Sequence, residues 1–513
     1  MPSALESLRA RLAEISDLGR ARALLAWDER TKMPPAGAEA RASQLGTLAR
    51  IRHERLASEE TGRLLEQAAT ESHGKAEDSD ACLVRVARRE WEKARRVPAE
   101  LRAELTRAAS LAEHAWVAAR RRSDFAALLP HLERNVELRR RYAECFDGFE
   151  QVARPYDALL DDFEPGMATA EMAAVLAELR QGVVELVEAV GRAGTVVDDG
   201  CLRGSFPVER QTGLVEELLE RLPLPAAGWR LDPTAHPFAS AISTTDVRLT
   251  TSYDPTYLGA ALWSTIHEAG HGLYEGGIAA ELRRTPLCRP PSLGLHESQS
   301  RLWENWVGRS RPFLTWLHPR LAGAFPEALG GVDIDALHRA AHLIGPSLIR
   351  IHADEVTYNL HIALRFELEL ELFEGDLALG DLPDAWNART AEYLGLEVPD
   401  DANGVLQDVH WAAGSFGYFP TYALGNVMAA QIWEAVRAEL PDLDAQLAAG
   451  DFEPLFEALR RRLYRHGAKR MPRETFERAA GAELSVEPYL RYLRGVASDV
   501  YGIGNDGEGK AGL

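Results

Sequence analysis

The residues best spaced for chemistry are two histidines four positions apart, with a glutamate beside the first: Thr265-Ile266-His267-Glu268-Ala269-Gly270-His271-Gly272. On an α-helix such positions lie about 40° apart around the axis, so both imidazoles leave one face and can share a cation. Glu268 falls on the adjacent edge, within reach of a water that the cation activates but poorly placed to be a ligand. H-E-x-x-H on a helix is the arrangement zinc hydrolases use. Two histidines on a helix can also be a core pair or a solvated pair; the motif favours metal, and its context has to raise or lower that.

A zinc hydrolase needs a third protein ligand and an open fourth position. Downstream carboxylates are Glu275, Glu281, Glu297 and Glu304. Glu275 shares the first helix a further turn beyond His271, and Glu281 falls in a basic connector, Glu281-Leu282-Arg283-Arg284. Glu297 lies early in the next helix, after the helix-breaking Pro290-Pro291, and an antiparallel return would bring it opposite the histidines. Glu297 is therefore the expected third ligand. A metzincin is excluded, because its H-E-x-x-H-x-x-G-x-x-H needs glycine where Tyr274 stands and histidine where Gly277 stands.

The helix that positions the histidines is expected to start at Asp254-Pro255, an N-cap acceptor followed by proline, and to stop at Gly276-Gly277. Leu258, Leu262, Ile266 and Leu273 recur between them at helical spacing. Upstream, Leu5, Leu8, Leu12, Ile15 and Leu18 form an amphipathic stripe that Met33-Pro34-Pro35-Ala36-Gly37 breaks. Further helices are expected from Ala38 to Leu56 and over 59–70, 78–95, 98–121, 124–151 and 169–192. Basic runs such as Arg120-Arg121-Arg122 and Arg139-Arg140-Arg141 read as solvated faces. After Gly194 the texture changes: Thr195-Val196-Val197 and residues 247–253 read as short strands, the second leading into the histidine helix. A strand there can hold a peptide substrate by adding it as another strand. Helix returns over 292–310, 335–375, 425–440, 453–465 and 485–499, and Gly504 to Gly512 reads as a frayed tail.

At 513 residues the chain exceeds the usual single-core limit, which predicts a two-lobed body or several subdomains. Its 46% hydrophobic and 27% charged residues are ordinary globular composition. A formal charge of −20 argues against binding nucleic-acid phosphates. No run of eighteen apolar residues suggests a membrane span, and the N-terminus lacks the pattern of a signal peptide. Cys82, Cys145, Cys201 and Cys288 lie far apart without a C-x-x-C pair, which suggests reduced thiols in a cytoplasmic protein.

The words around these residues resemble the thermostable carboxypeptidase family, zinc-dependent metallocarboxypeptidases built on H-E-x-x-H. His236-Pro237-Phe238 matches its H-P-F, Asp246-Val247-Arg248-Leu249-Thr250 its D-x-R-x-T, and His296-Glu297-Ser298-Gln299 its H-E-S-Q. Ile349-Arg350-Ile351-His352-Ala353-Asp354 matches I-R-x-x-A-D, and Gly404-Val405-Leu406-Gln407-Asp408-Val409-His410-Trp411 matches G-x-x-Q-D-x-H-W. The flanks also look alike, from Leu25-Ala26-Trp27-Asp28 to Phe416-Gly417-Tyr418-Phe419-Pro420-Thr421-Tyr422. The resemblance covers essentially the whole chain.

It implies a mainly α, two-lobed, saddle-like body with a deep groove and a very small β element beside the zinc helix. That makes one catalytic body over 1–513, with a helical N-terminal lobe over 1–200, the zinc-site part over 201–503 and a flexible tail over 504–513. It also implies a homodimer that removes single residues from peptide C-termini with broad specificity. By matching positions, His267, His271 and Glu297 would hold Zn2+, with Co2+ as a possible substitute, and Glu268 would be the general base and acid. Arg350 is the candidate reader of the substrate carboxylate, since guanidinium grips carboxylate bidentately, although an i,i+4 ion pair with Asp354 on a helix would explain it equally well. Arg248 has the same ambiguity and could instead tie the strand to the zinc helix. His410, helped by Tyr422, is a candidate donor to the carbonyl oxygen or the substrate terminus. Asp408, Glu304 and Asn305 are candidates for orienting the zinc-binding histidines. The competing reading is a zinc endo- or oligopeptidase on a similar helical groove, with the same chemistry but no carboxylate reader.

Overall fold

A computed structural model describes residues 2–71, 78–150 and 152–504. The first helix, Ala4–Thr31, begins at a reciprocal cap: Glu6 N–H donates to Ser3 Oγ at 3.1 Å, and Ser3 N–H to Glu6 Oε2 at 2.8 Å. Its expected stripe faces inward, with Leu8, Leu12 and Ile15 buried. Helices Ala38–Ala57, Glu59–Glu71, Ser79–Arg96, Ala99–Arg122 and Thr169–Ala193 lie within a residue or so of their expected spans. The helix expected over 124–151 is shorter, Phe125–Glu144, and gives way to turns in which Gly148 has φ +69°. Residue 151 and the tail residues 505–513 lie outside the described residues.

The β structure is a small three-stranded sheet: β1 (Trp229–Pro233), β2 (Ser240–Ser243) and β3 (Asp246–Thr251), in the order β1-β3-β2. β1 runs parallel to β3 and β2 antiparallel to it. Of the two strands expected, one forms. Thr195–Val197 makes no strand; Val196 is 90% exposed, and Thr195 only donates its hydroxyl to the Tyr501 carbonyl at 2.9 Å. β-branched residues alone do not make a strand where no partner edge is at hand. Since β3 is the central strand with both sides paired, a peptide could be added to this sheet only at β1 or β2.

Alternation along β3 sorts its side chains. Val247, Leu249 and Thr251 face the histidine helix: a Cβ on Gly272 would meet Val247 and Leu249 methyls at 3.1 and 3.0 Å, and Thr251 Oγ1 lies 2.9 Å from Ser264 Oγ. The histidine helix itself spans Leu258–Gly277. It stops where the glycines predict but starts later than Asp254-Pro255. The Asp254 carboxylate is spent on a local turn, accepting from Thr256 N–H at 2.7 Å and from its hydroxyl at 2.6 Å.

The next helix, Leu293–Arg301, starts at Ser292, whose hydroxyl accepts from Leu295 N–H, and runs into a π-helical segment, Leu302–Gly308. The two helices are antiparallel, because Gly308 touches Ile266, Glu304 touches His267, Ser300 touches Gly270 and His296 touches His271. Their closest approach is at Gly270, where a Cβ would lie 2.6 Å from the Gln299 carbonyl oxygen. A third helix, Pro420–Glu439, closes the other side; at Gly425 a Cβ would lie 2.7 Å from Cγ of Glu297. One buried apolar cluster runs from Leu8 to Tyr501 around these elements.

The helix expected over 335–375 is two helices, Ile334–Ala341 and Tyr358–Glu374, with a short 3-10 turn at Arg350–His352 between them. Gly345-Pro346 accounts for the break, since proline lacks the N–H a helix needs. Arg350 and Asp354 therefore do not form an i,i+4 pair. Asp354 instead caps Val356 and Thr357 N–H at 2.9 and 3.0 Å. Helices Val208–Arg221, Arg311–Ala324 and Leu382–Leu394 were not expected from pattern. No helix among the described residues is long and apolar enough to cross a membrane.

Replacing Gly270 by alanine should destabilise the protein by about 1–3 kcal/mol in urea unfolding, because backbone rather than a flexible side chain blocks the new methyl. The same change at Gly276, where nothing lies nearer than 3.8 Å, should stay within about 1 kcal/mol of the parent. Equal effects at the two positions would contradict the close approach.

Candidate metal centre

The antiparallel pair brings His267, His271 and Glu297 together, with one ligand atom from each lying within 4.8 Å of the others. Glu297 Oε2 stands 3.6 Å from His267 Nε2 and 3.5 Å from His271 Nε2. Ligands about 2.0–2.2 Å from a tetrahedral zinc lie about 3.3–3.6 Å from each other, so these separations match an edge of that tetrahedron. The donor set fits as well, since two imidazoles and a carboxylate suit zinc and its neighbours. Glu268 Oε2 is buried and has no hydrogen-bond partner, which leaves an unengaged carboxylate oxygen beside the cluster. Among the described residues these three side chains form the one cluster of this kind.

Charge around the cluster is arranged by the second helix. His267 Nδ1 lies 2.9 Å from Glu304 Oε2, which turns Nε2 of the same ring toward Glu297. Arg301 donates from Nε to Glu297 Oε1 at 2.8 Å and from Nη1 to Glu304 Oε2 at 3.2 Å. Arg309 donates from Nη2 to Glu304 Oε1 at 2.9 Å. Burial opposes the charge on both carboxylates, but Arg301 with the histidines more than offsets it, and both sit well below the ordinary carboxylate range. Burial raises the Glu268 carboxyl, with the two histidines opposing it.

A second polar cluster adjoins the first. Arg350, on the 3-10 turn, donates from Nη2 to Asp408 Oδ1 at 2.7 Å and from Nη1 to Tyr358 Oη at 3.0 Å. Arg365, fully buried, donates from Nη2 to Asp408 Oδ2 at 2.6 Å and to Gln407 Oε1 at 2.8 Å. Burial brings Arg365 down to about 10 even though Asp408 supports its charge, and Arg350 adds repulsion. Two guanidinium groups against one carboxylate leave this cluster one positive charge in excess. Tyr358 joins the two clusters: Arg301 lies 4.5 Å over its ring, and its hydroxyl meets Arg350.

His410 packs its ring 4.4 Å from Phe419, with Nε2 3.5 Å from the Tyr422 hydroxyl and a buried Nδ1 that makes no hydrogen bond. Burial brings its imidazole down to about 4, so it is neutral near pH 7. The Tyr422 ring lies 5.1 Å from the Arg350 guanidinium.

Of the residues singled out in the sequence, His267, His271, Glu268, Glu297 and Glu304 meet at the metal cluster, and Arg350, His410 and Tyr422 meet in the adjoining one. Asp408 stands with the arginines, 3.8 Å from His410 Nδ1, rather than on the histidines. Asn305 accepts from Arg309 Nε at 3.1 Å. Arg248 lies on the far face of β3, paired with Asp246 and 4.8 Å over the Trp27 ring. His236 is exposed. Pattern reading passed over Arg301, Arg309, Arg365 and Tyr358. Arg301 stood four residues after Glu297 and was readable as a helical ion pair. Arg365 finds its partner 43 positions away and carries no local signal.

Comparison with known proteins identifies the family. The family model for carboxypeptidase Taq (M32) metallopeptidases matches residues 7–496. The chain is 43% identical to thermostable carboxypeptidase 1 of Thermus thermophilus, covering 96% of this chain and 97% of that protein. It is 37% identical to carboxypeptidase 1 of Bacillus subtilis, with the same coverage of each. The crystal structure of an M32 carboxypeptidase from Deinococcus radiodurans superposes with a TM-score of 0.94 at 41% identity, over 98% of this chain and 100% of that one.

The bond from Glu304 to His267 has a measurable consequence. Glu304→Gln should weaken divalent-metal binding about 10–100-fold in chelator competition. Unchanged affinity would mean that the ring needs no such partner.

Proposed function

The chain belongs to the carboxypeptidase Taq (M32) metallopeptidase family and is a metallocarboxypeptidase, and from that premise we propose that it is zinc-dependent and removes single residues from peptide C-termini with broad specificity. The observation that carries the zinc reading is the tetrahedral-edge spacing of Glu297 Oε2 from His267 Nε2 and from His271 Nε2. Cobalt is the expected substitute. Once bound, zinc supplies Lewis acidity, lowering the pKa of water to about 7 and polarising the scissile carbonyl.

This chain's residues do the rest. Glu268, with its Oε2 buried and unengaged, accepts the proton of the attacking water and returns it to the leaving amine. Glu304 holds the His267 ring in one orientation. Arg350 presents the excess positive charge of its cluster to the substrate carboxylate, while Asp408 and Arg365 fix its fork. His410 and Tyr422 offer polar hydrogens beside it to the carbonyl oxygen or the terminus. Because one tyrosine ring joins Arg301 at the cluster to Arg350, the bond to be cut and the terminal carboxylate are held a short step apart, as release of one residue requires.

We also infer a homodimer working on peptides in the cytoplasm. The dimer rests on the family resemblance; the compartment is supported by four cysteines that no disulfide joins.

Two measurements bear on this reading. Glu268→Gln should keep its metal while kcat falls about 10²–10⁴-fold; loss of metal together with activity would remove Glu268 from the proton-transfer role. An N-terminally blocked peptide should also be cleaved about 10–150-fold better than its C-terminal amide, the equivalent of about 1.5–3 kcal/mol for a hydrogen bond to a charged group. Equal cleavage would favour an endo- or oligopeptidase.

A further inference from the structure

Behind the metal centre lies a buried clasp that the proposed chemistry does not use. Arg309, just after the π-helical segment, has every guanidinium nitrogen engaged: Nη2 on Glu304, Nε on Asn305, and Nη1 on the Ala341 carbonyl at 2.6 Å. Its plane lies 4.7 Å over the Trp263 ring. The residue after Ala341 returns the contact, because His342 Nε2 donates to the Arg309 carbonyl at 3.1 Å. His342 Nδ1 meets Glu355 Oε1, so both ring nitrogens face acceptor oxygens. Glu355 is itself held, its Oε2 by the Tyr492 hydroxyl at 2.7 Å and its carbonyl by the Tyr489 hydroxyl at 3.1 Å. The His342 and Glu355 side chains are each 3% exposed.

We propose that His342 is a positioning residue for the metal centre, acting through Arg309 and Glu304 on the ring of His267. This rests on the reading of His267 as a metal ligand. A free arginine samples many rotamers, whereas one clasped at its carbonyl and at its guanidinium keeps a single one. With Oε1 of Glu304 taken by Arg309, its Oε2 stays turned to His267 Nδ1. Without the clasp, Arg301 alone reaches Glu304, and it reaches the same Oε2 that the histidine needs. The Glu304 carboxylate is then free to rotate, and the imidazole loses the partner that fixes its orientation.

The test is zinc affinity by chelator competition in the full-length protein, for His342→Phe and the isosteric Glu355→Gln, each made in the parent and in Glu304→Gln. The expected result is a roughly tenfold loss of zinc affinity for either change in the parent and no further loss in the Glu304→Gln background. Glu355→Gln keeps the test decisive if His342→Phe fails to fold. Parent-like affinity in the single variants would overturn the proposal, and so would the same extra loss in the Glu304→Gln background, which would mark a merely structural effect. If the parent binds no zinc, the reading of His267 as a ligand fails and this proposal with it. If Glu304→Gln binds weakly while His342→Phe and Glu355→Gln bind like the parent, only this proposal fails.

Discussion

Three carboxylates, Glu268, Glu297 and Glu304, are buried together between two antiparallel helices, and holding them there constrains much of the surrounding structure. Buried like charges are costly unless they are paired. Arg301 and Arg309 supply two partners from the same helical run that carries Glu297 and Glu304. Glycines at 270 and 425 let backbone close around the cluster from both sides. The side chains are thus fixed by packing on helices, which suits a metal site that has to be held to a fraction of an ångström.

The same economy extends to the adjoining cluster. Arg350 and Arg365 share Asp408, and Tyr358 joins them to Arg301. A positive charge left over in a buried place is a strong attractor for a carboxylate, and its position beside the histidine cluster gives the arrangement a direction along the substrate. The small sheet has a supporting part in this: β3 turns Val247, Leu249 and Thr251 toward the histidine helix and Arg248 away from it.

Periodicity and punctuation carried much of the helical N-terminal part: Leu8, Leu12 and Ile15 mark the buried side of the first helix, Pro98 follows Ser79–Arg96, and Gly194 ends Thr169–Ala193. The histidine pair and Glu297 were legible for the same local reason: spacing on one helix and an antiparallel return. What escaped notice depends on distant partners. β1 and β2 are short and gain their identity only by pairing with β3. Arg365 and Asp408 meet across 43 positions. The break inside 335–375 was signalled by Gly345-Pro346 but was outweighed by the apolar pattern around it. Arg350 and Asp354 looked like a helical pair for that reason, and the 3-10 turn sends them to different partners.

Anomalous diffraction at the zinc absorption edge, from crystals grown with zinc, tests the centre most directly. A single strong peak should lie within about 2.0–2.2 Å of His267 Nε2, His271 Nε2 and an oxygen of Glu297. No peak there, or a peak on other ligands with Glu297 still held by Arg301, would contradict the account.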